Sequence, residues 1–189
     1  MIRVIKGIIW FLTAFFVVFV GGGYILPNEV TVERHAVINA PSGKVFALVG
    51  SYKRFQEWSP WAELDPATTY KFEGAESGVG EKMSWASNNP NVGAGSQVIT
   101  EYVPQDHVAS DLDFGAMGKS VAYWNLKPEG AGTSATWGFK MKLDGVLDRW
   151  MGLLMDRFVG SDYDKGLAKV KALAEKEAEH AVRLRTVRD

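Results

Sequence analysis

The sequence predicts an α+β fold: a curved antiparallel sheet around a long C-terminal helix, preceded by a single transmembrane helix. Three observations predict it. Residues 7–26 contain no charged side chain. From Val30 to Leu143 apolar residues recur with a period of two, in short runs separated by turn residues. After Val146 the period becomes helical. A sheet with one apolar face must be covered, and the last helix is the only long amphipathic element able to cover it.

The elements follow in order. Residues 7–26, GIIWFLTAFFVVFVGGGYIL, span ~30 Å as a helix, the thickness of a bilayer's hydrocarbon core. Trp10 and Tyr24 suit the two interfaces. Arg3 and Lys6 precede the span, and no basic residue follows until Arg34. The positive-inside rule therefore puts the N-terminus in the cytoplasm and the rest of the chain in the periplasm or another extracytoplasmic space. The alternative is a cleaved leader with Ile8–Val20 as its apolar region. The apolar run continues past Gly21-Gly22-Gly23 through Tyr24-Ile25-Leu26, and no A-x-A site is present. Both alternatives export the remainder. The same glycines would also let a partner's helix approach closely.

Val30, Val32, Arg34, Ala36 and Ile38 share one face of a strand that ends before Pro41. Lys44–Val49 reads as a short helix closed by Gly50, with Pro41 suited to its start. Residues 52–66 are densely aromatic; a second short helix lies around Phe55, and Pro60 prevents it from continuing. Strands follow at Thr69–Glu73, Glu81–Ala86, Gln97–Val103, His107–Phe114, Lys119–Lys127 and Thr133–Leu143, with a loop at Ser87–Gly95 and a turn at Pro128–Gly132. Helical spacing runs from Val146 to Val159, breaks or bends at Gly160-Ser161, and resumes from Tyr163 to Ala174. Residues 179–189 form a charged tail. The organisation is thus a signal-anchor over 1–28, a domain over 29–178 and the tail.

Composition excludes several function classes. The chain has 189 residues, 47% apolar and 23% charged, which suits one globular domain with an appendage. Zero cysteines exclude disulfide scaffolds, thiolate metal sites and cysteine nucleophiles. A pI near 6.3 argues against nucleic-acid binding. Without Arg3 and Lys6 the net charge of -1 becomes -3, so charge does not draw the domain to an anionic membrane.

The strongest candidate site is an aromatic set: Trp58, Trp61, Trp85, Trp124, Trp137, Phe139 and Trp150. Such residues give large rigid contact area for a bulky apolar ligand, and equally an ordinary core. Met83, Met141, Met151 and Met155 would supply an adaptable lining. Arg34 sits on an apolar strand face and needs a partner. An acid on a neighbouring strand or in the Trp58–Asp65 loop would serve, as would a ligand head group. His35, His107 and His180 are scattered without further ligands at metal spacing, so no metal is expected. No nucleophile turn occurs, Asp111 and Asp113 read as a solvated strand face, and the paired glycines at 78/80 and 93/95 do not open a helix. No catalytic residue and no cofactor is expected.

Several ordered motifs carry a family resemblance. They are Val37-Ile38-Asn39-Ala40-Pro41 with Val45-Phe46, then Trp58-Ser59-Pro60-Trp61 with Asp65-Pro66. Gly78-Val79-Gly80 with Trp85, Thr133 with Trp137, and Gly166-Leu167 with Lys171 and Glu175 complete the series. Together they resemble the polyketide cyclase/dehydrase branch of the START-like (SRPBCC) superfamily over residues 29–178. The resemblance implies the helix-grip fold and a cavity between sheet and helix that takes lipids, sterols, polyketides, quinones or hormones; it implies little about chemistry. The expectation is a membrane-tethered, non-catalytic binding protein for a lipophilic small molecule such as a lipid, quinone or polyketide-like compound. Its ligand cavity would be formed by Trp58, Trp61, Trp85, Trp124, Trp137, Phe139, Met155 and Arg34. The alternatives are an accessory single-pass subunit of a membrane protein complex and a cyclase/dehydratase-type enzyme.

Overall fold

The computed structural model describes residues 2–186. Helix α1 (Ile2–Ile25) is followed after Leu26-Pro27-Asn28 by strand β1 (Glu29–Ile38). Helix α2 (Ser42–Val49) leads into a 3-10 turn at Tyr52–Arg54, α3 (Phe55–Trp58) and α4 (Pro60–Leu64). The remaining strands are β2 (Thr69–Gly74), β3 (Glu81–Ala86), β4 (Ala94–Val103), β5 (His107–Asp113), β6 (Lys119–Glu129) and β7 (Gly132–Lys142), and α5 (Val146–Thr186) closes the chain. Residues 187–189 of the charged tail lie outside the described part.

Helix α1 is long and apolar enough to cross a membrane, with a mean hydropathy of 2.3 over Arg3–Ile25. Its side chains are almost all exposed, as a soluble core helix's are not. The hydroxyl of Thr13, mid-span, donates to the Ile9 carbonyl at 2.9 Å, so this polar group is satisfied within the helix.

The seven strands form one antiparallel sheet in the order β1-β7-β6-β5-β4-β3-β2. The chain starts at one edge, crosses by way of α2–α4 to the other, and meanders back until β7 pairs with β1. Period-two alternation survives in the burial. Val32, Ile38, Ala135, Trp137 and Phe139 are buried, whereas Thr31, Glu33 and Lys140 are exposed. Each adjacent pair is close to in register, with Glu29 opposite Lys142 and Trp124 opposite Trp137; a bulge in β4 separates Ile99 from Glu101.

Two expectations need correction. The β6–β7 turn is shorter than Pro128–Gly132: Pro128 and Glu129 remain in β6, opposite Thr133 and Gly132. Gly130 takes the left-handed conformation (φ 59°) that a two-residue hairpin demands. Gly160-Ser161 does not break the last helix, because α5 runs uninterrupted for 41 residues. Gly160 serves a contact instead. A Cβ there would stand 1.8 Å from Nη2 of Arg34, so the glycine lets the arginine lie across the helix.

Helix α5 is clamped along β1 by several such contacts. Lys171 Nζ donates to the Val37 carbonyl at 2.7 Å, and Glu175 Oε1 accepts from the Asn39 backbone N–H at 2.8 Å. Lys169 pairs with Glu63 of α4, and Arg54 bridges Glu57 and Glu177. The apolar side of α5, with Tyr163, Leu167, Val170 and Ala174, is buried against the sheet. On α2, Val45, Phe46, Leu48 and Val49 fill the space beside it.

Candidate ligand cavity

Trp58, Trp124 and Trp137 form the framework of the site. Trp58 ends α3 because Pro60 follows, and its Nε1 donates to the Leu48 carbonyl at 2.9 Å. Opposed strands carry the other two, whose rings stack at 4.9 Å between centroids and 10° between planes. The other face of Trp137 stacks on Tyr163 of α5 at 3.7 Å and 9°. Edge contacts from Trp58 and Trp61 complete the box around it. Aromatic pairs of this kind add ~0.5–1.5 kcal/mol each beyond their buried area, so Trp137 is a rigid wall.

Beside this framework, between the concave face of the sheet and α5, lies a cavity of about 350 Å³. That is within the usual ~300–1,000 Å³ of small-molecule sites. Trp58, Trp61, Trp85, Trp124, Trp137, Phe139 and Met155 all border it. Arg34 does not. It reaches outward across Gly160 to Asp156 (2.8 Å) and Asp164 (3.1 Å), both on α5. Its partners thus come from neither a neighbouring strand nor the Trp58–Asp65 loop. The hydrogen bond to Asp156 is the main cause raising the arginine's pKa, and the same bond lowers that of Asp156. Trp150 also points elsewhere, onto α1. Of the four methionines offered as lining, Met141 and Met155 border the cavity, whereas Met83 is fully buried in the core and Met151 is exposed; Met117 borders it as well.

Sequence reasoning missed the polar part of the wall. Tyr52, Gln97 and Ser110 border the cavity, and the Tyr52 hydroxyl donates to Ser110 Oγ at 2.7 Å. Buried Glu81 fixes this corner from behind, since its Oε1 accepts from Ser51 Oγ (2.8 Å) and the Tyr52 backbone N–H (2.9 Å). The signal was available: Gln97 alternates with Ile99, and Ser110 with Val108 and Leu112, so both polar residues fall on apolar strand faces. The titratable groups in the wall are Tyr52, Tyr70 and Tyr163. Burial is the first cause raising each phenol, so all stay protonated at neutral pH. Asp113, by contrast, accepts from the Gly115 backbone N–H and pairs with Lys119 outside the cavity, which lowers its pKa. Among the described residues no cluster of three or more His, Asp or Glu is placed to hold a metal ion.

A sheet that grips one long helix over an aromatic cavity defines the helix-grip class of the START-like superfamily. The chain belongs to the polyketide cyclase/dehydrase and lipid transport family, whose pattern matches residues 29–175. Similar solved structures include the di-domain ARO/CYC StfQ from the steffimycin biosynthetic pathway, at 14% identity and a TM-score of 0.65 over 80% of this chain. The match covers 52% of StfQ, so this chain spans about half of that protein's length. Protein CV1439 from Chromobacterium violaceum is similar at 19% identity and a TM-score of 0.56, covering 79% of this chain and 99% of that one. The Aha1 dimer from Colwellia psychrerythraea follows at 16% identity and 0.55, covering 77% and 96%. No curated protein matches the chain.

Proposed function

We propose that the protein is a membrane-tethered, non-catalytic binder of a lipophilic small molecule. The cavity carries this reading: about 350 Å³, walled mostly by aromatic and aliphatic side chains, with a polar corner at Tyr52, Gln97 and Ser110 and further polar groups from Ser51, Tyr70 and Asn91. Such a wall suits a mostly apolar ligand bearing one hydrogen-bonding group, as lipids, quinones and polyketide-like compounds do. Helix α1 supplies the tether, and Arg3 and Lys6 in its first turns, ahead of the charge-free residues 7–26, favour a cytoplasmic N-terminus with the cavity on the other side.

A cyclase/dehydratase-type activity is the competing reading, and the ARO/CYC name of StfQ favours it. The wall supports binding better. Acid–base work at neutral pH needs a group that titrates nearby, and the phenols here are shifted away from that range. The test is lipid mass spectrometry of the full chain purified in detergent and extracted with organic solvent. A lipophile is expected from the parent protein and not from Ala122→Trp, which puts an indole into the cavity from β6. Equal recovery from both, or none from either, rejects the proposal.

A further inference from the structure

The start of α5 presents an apolar surface that the domain does not use. Leu147, Met151, Leu154 and Phe158 are 63, 49, 44 and 57% exposed. At about 100° per residue they fall in an arc of ~60°. One flank of this stripe faces α1 and the other borders the cavity through Met155 and Val159.

The contacts with α1 fix where the stripe stands. Trp150 stacks on Phe19 at 5.7 Å and 11°, and its Nε1 donates to the Phe19 carbonyl at 3.0 Å. Arg149 Nη1 reaches the carbonyls of Gly23 and Tyr24, both at 3.4 Å. A Cβ on Gly22 would meet Trp150 at 2.8 Å, and one on Gly23 would meet Val146 at 2.5 Å. Two of the three glycines that sequence reasoning offered to a partner's helix thus receive this chain's own α5. Phe19 lies ~9 Å before the end of α1 at Ile25, taking 1.5 Å per residue. The first turns of α5 therefore sit level with the apolar end of α1. Interfacial helices reach a comparable ~5–10 Å into the boundary between headgroups and acyl chains.

The cavity opens toward the same level. Its lining residues that are exposed are Pro90, Asn91 and Met117. They belong to the β3–β4 and β5–β6 loops, at the end of the sheet where Glu29 enters from α1.

We propose that the stripe is seated in the bilayer interface beside α1 and holds the cavity mouth against the acyl chains. The ligand class is then a lipophile resident in the membrane, taken up without crossing water. Four exposed large apolar side chains beside a bilayer-length helix favour lipid as the occupant. The domain's net negative charge leaves apolar insertion as the attraction.

This inference rests on the membrane-tether reading, and the experiment separates the two. The chain has no cysteine, so single labels are straightforward. Phe11→Cys, Met117→Cys, Leu154→Cys, Phe158→Cys and Ala172→Cys are each labelled with nitrobenzoxadiazole and reconstituted in phosphatidylcholine vesicles. Quenching by doxyl groups on the acyl chains is compared with quenching by aqueous iodide. Lipid quenching is expected at 11, 117, 154 and 158, with iodide quenching at 172. If 11 is quenched by lipid while 154 and 158 respond to iodide, the seating is wrong and the tether stands. If 11 responds to iodide, the tether itself is wrong. Protection of 154 and 158 from both quenchers means that protein covers the stripe, which overturns the proposal. A water-exposed 117 beside lipid-quenched 154 and 158 overturns the placement of the mouth.

Discussion

Gly166→Ala should destabilise the protein, although alanine is the better helix former. In an open helical position this exchange gains about 1 kcal/mol. At Gly166 the new Cβ would stand 2.6 Å from Cζ3 of Trp137 and 3.2 Å from Cδ of Pro60. Restoring ordinary contact at 3.4 Å requires the indole to retreat by about 0.8 Å. The indole has little room, with Tyr163 on one face, Trp124 on the other and Trp58 and Trp61 at its edges. Overpacking of a rigid core costs ~1–3 kcal/mol, and a ring clamped this way belongs in the upper half of that range. The net loss is then about 1–2 kcal/mol, or a Tm lower by roughly 2–8 °C for a chain of this size. Thermal unfolding of the full chain, followed by near-ultraviolet circular dichroism, measures it directly. Ala172→Gly, at an exposed position on the same helix, calibrates the helix-propensity effect alone. An unchanged or higher Tm for Gly166→Ala would refute the view of Trp137 as an immobile wall.

Arg34→Met should leave ligand recovery unchanged and lower stability by about 1 kcal/mol or less, because its acidic partners are well exposed. Arg34 holds the Asp156 carboxyl below its unfolded value. That contribution is present above the unfolded carboxylate range and is lost as pH falls through the lowered folded value. Urea titrations at neutral and acid pH should therefore show a smaller acid loss in Arg34→Met than in the parent, and equal losses would count against the bridge. Glu81→Leu leaves the Ser51 hydroxyl and the buried Tyr52 N–H without their acceptor, at a cost of about 1–3 kcal/mol in urea unfolding. Trp150→Ala removes the stack and hydrogen bond on Phe19. Spin labels at Gly21→Cys and Leu147→Cys should then give a broader distance distribution, and an unchanged one would show that the indole does not couple the two helices.

Most of the fold is legible in the sequence, because periodicity reports which face of each element is covered. Ala135, Trp137 and Phe139 declare the inner face of β7, and the change of period after Leu143 marks α5. The cavity is less legible. Whether an inward tryptophan fills a core or lines a void depends on how far α5 stands from the sheet, and no local pattern encodes that distance. Trp124 and Trp137 stack, yet still leave space toward Met141 and Phe114. Arg34 shows the same limit: the sequence demands a partner, but Asp156 and Asp164 lie more than 120 residues away. Trp150 belongs to the same aromatic set in the sequence, and nothing local tells that its ring meets α1. The exposed apolar stripe was hidden for that reason too: a wide apolar face on α5 reads as core until the sheet proves too narrow to cover it.

The link between α1 and β1 is only Leu26-Pro27-Asn28. Fully extended, it stretches to about 10 Å, and proline stiffens it. The domain has no leash on which to swing toward an opposing surface. On the tethered reading it is a fixed berth rather than a ferry, and its cargo must change hands with a neighbour that diffuses to it in the same leaflet.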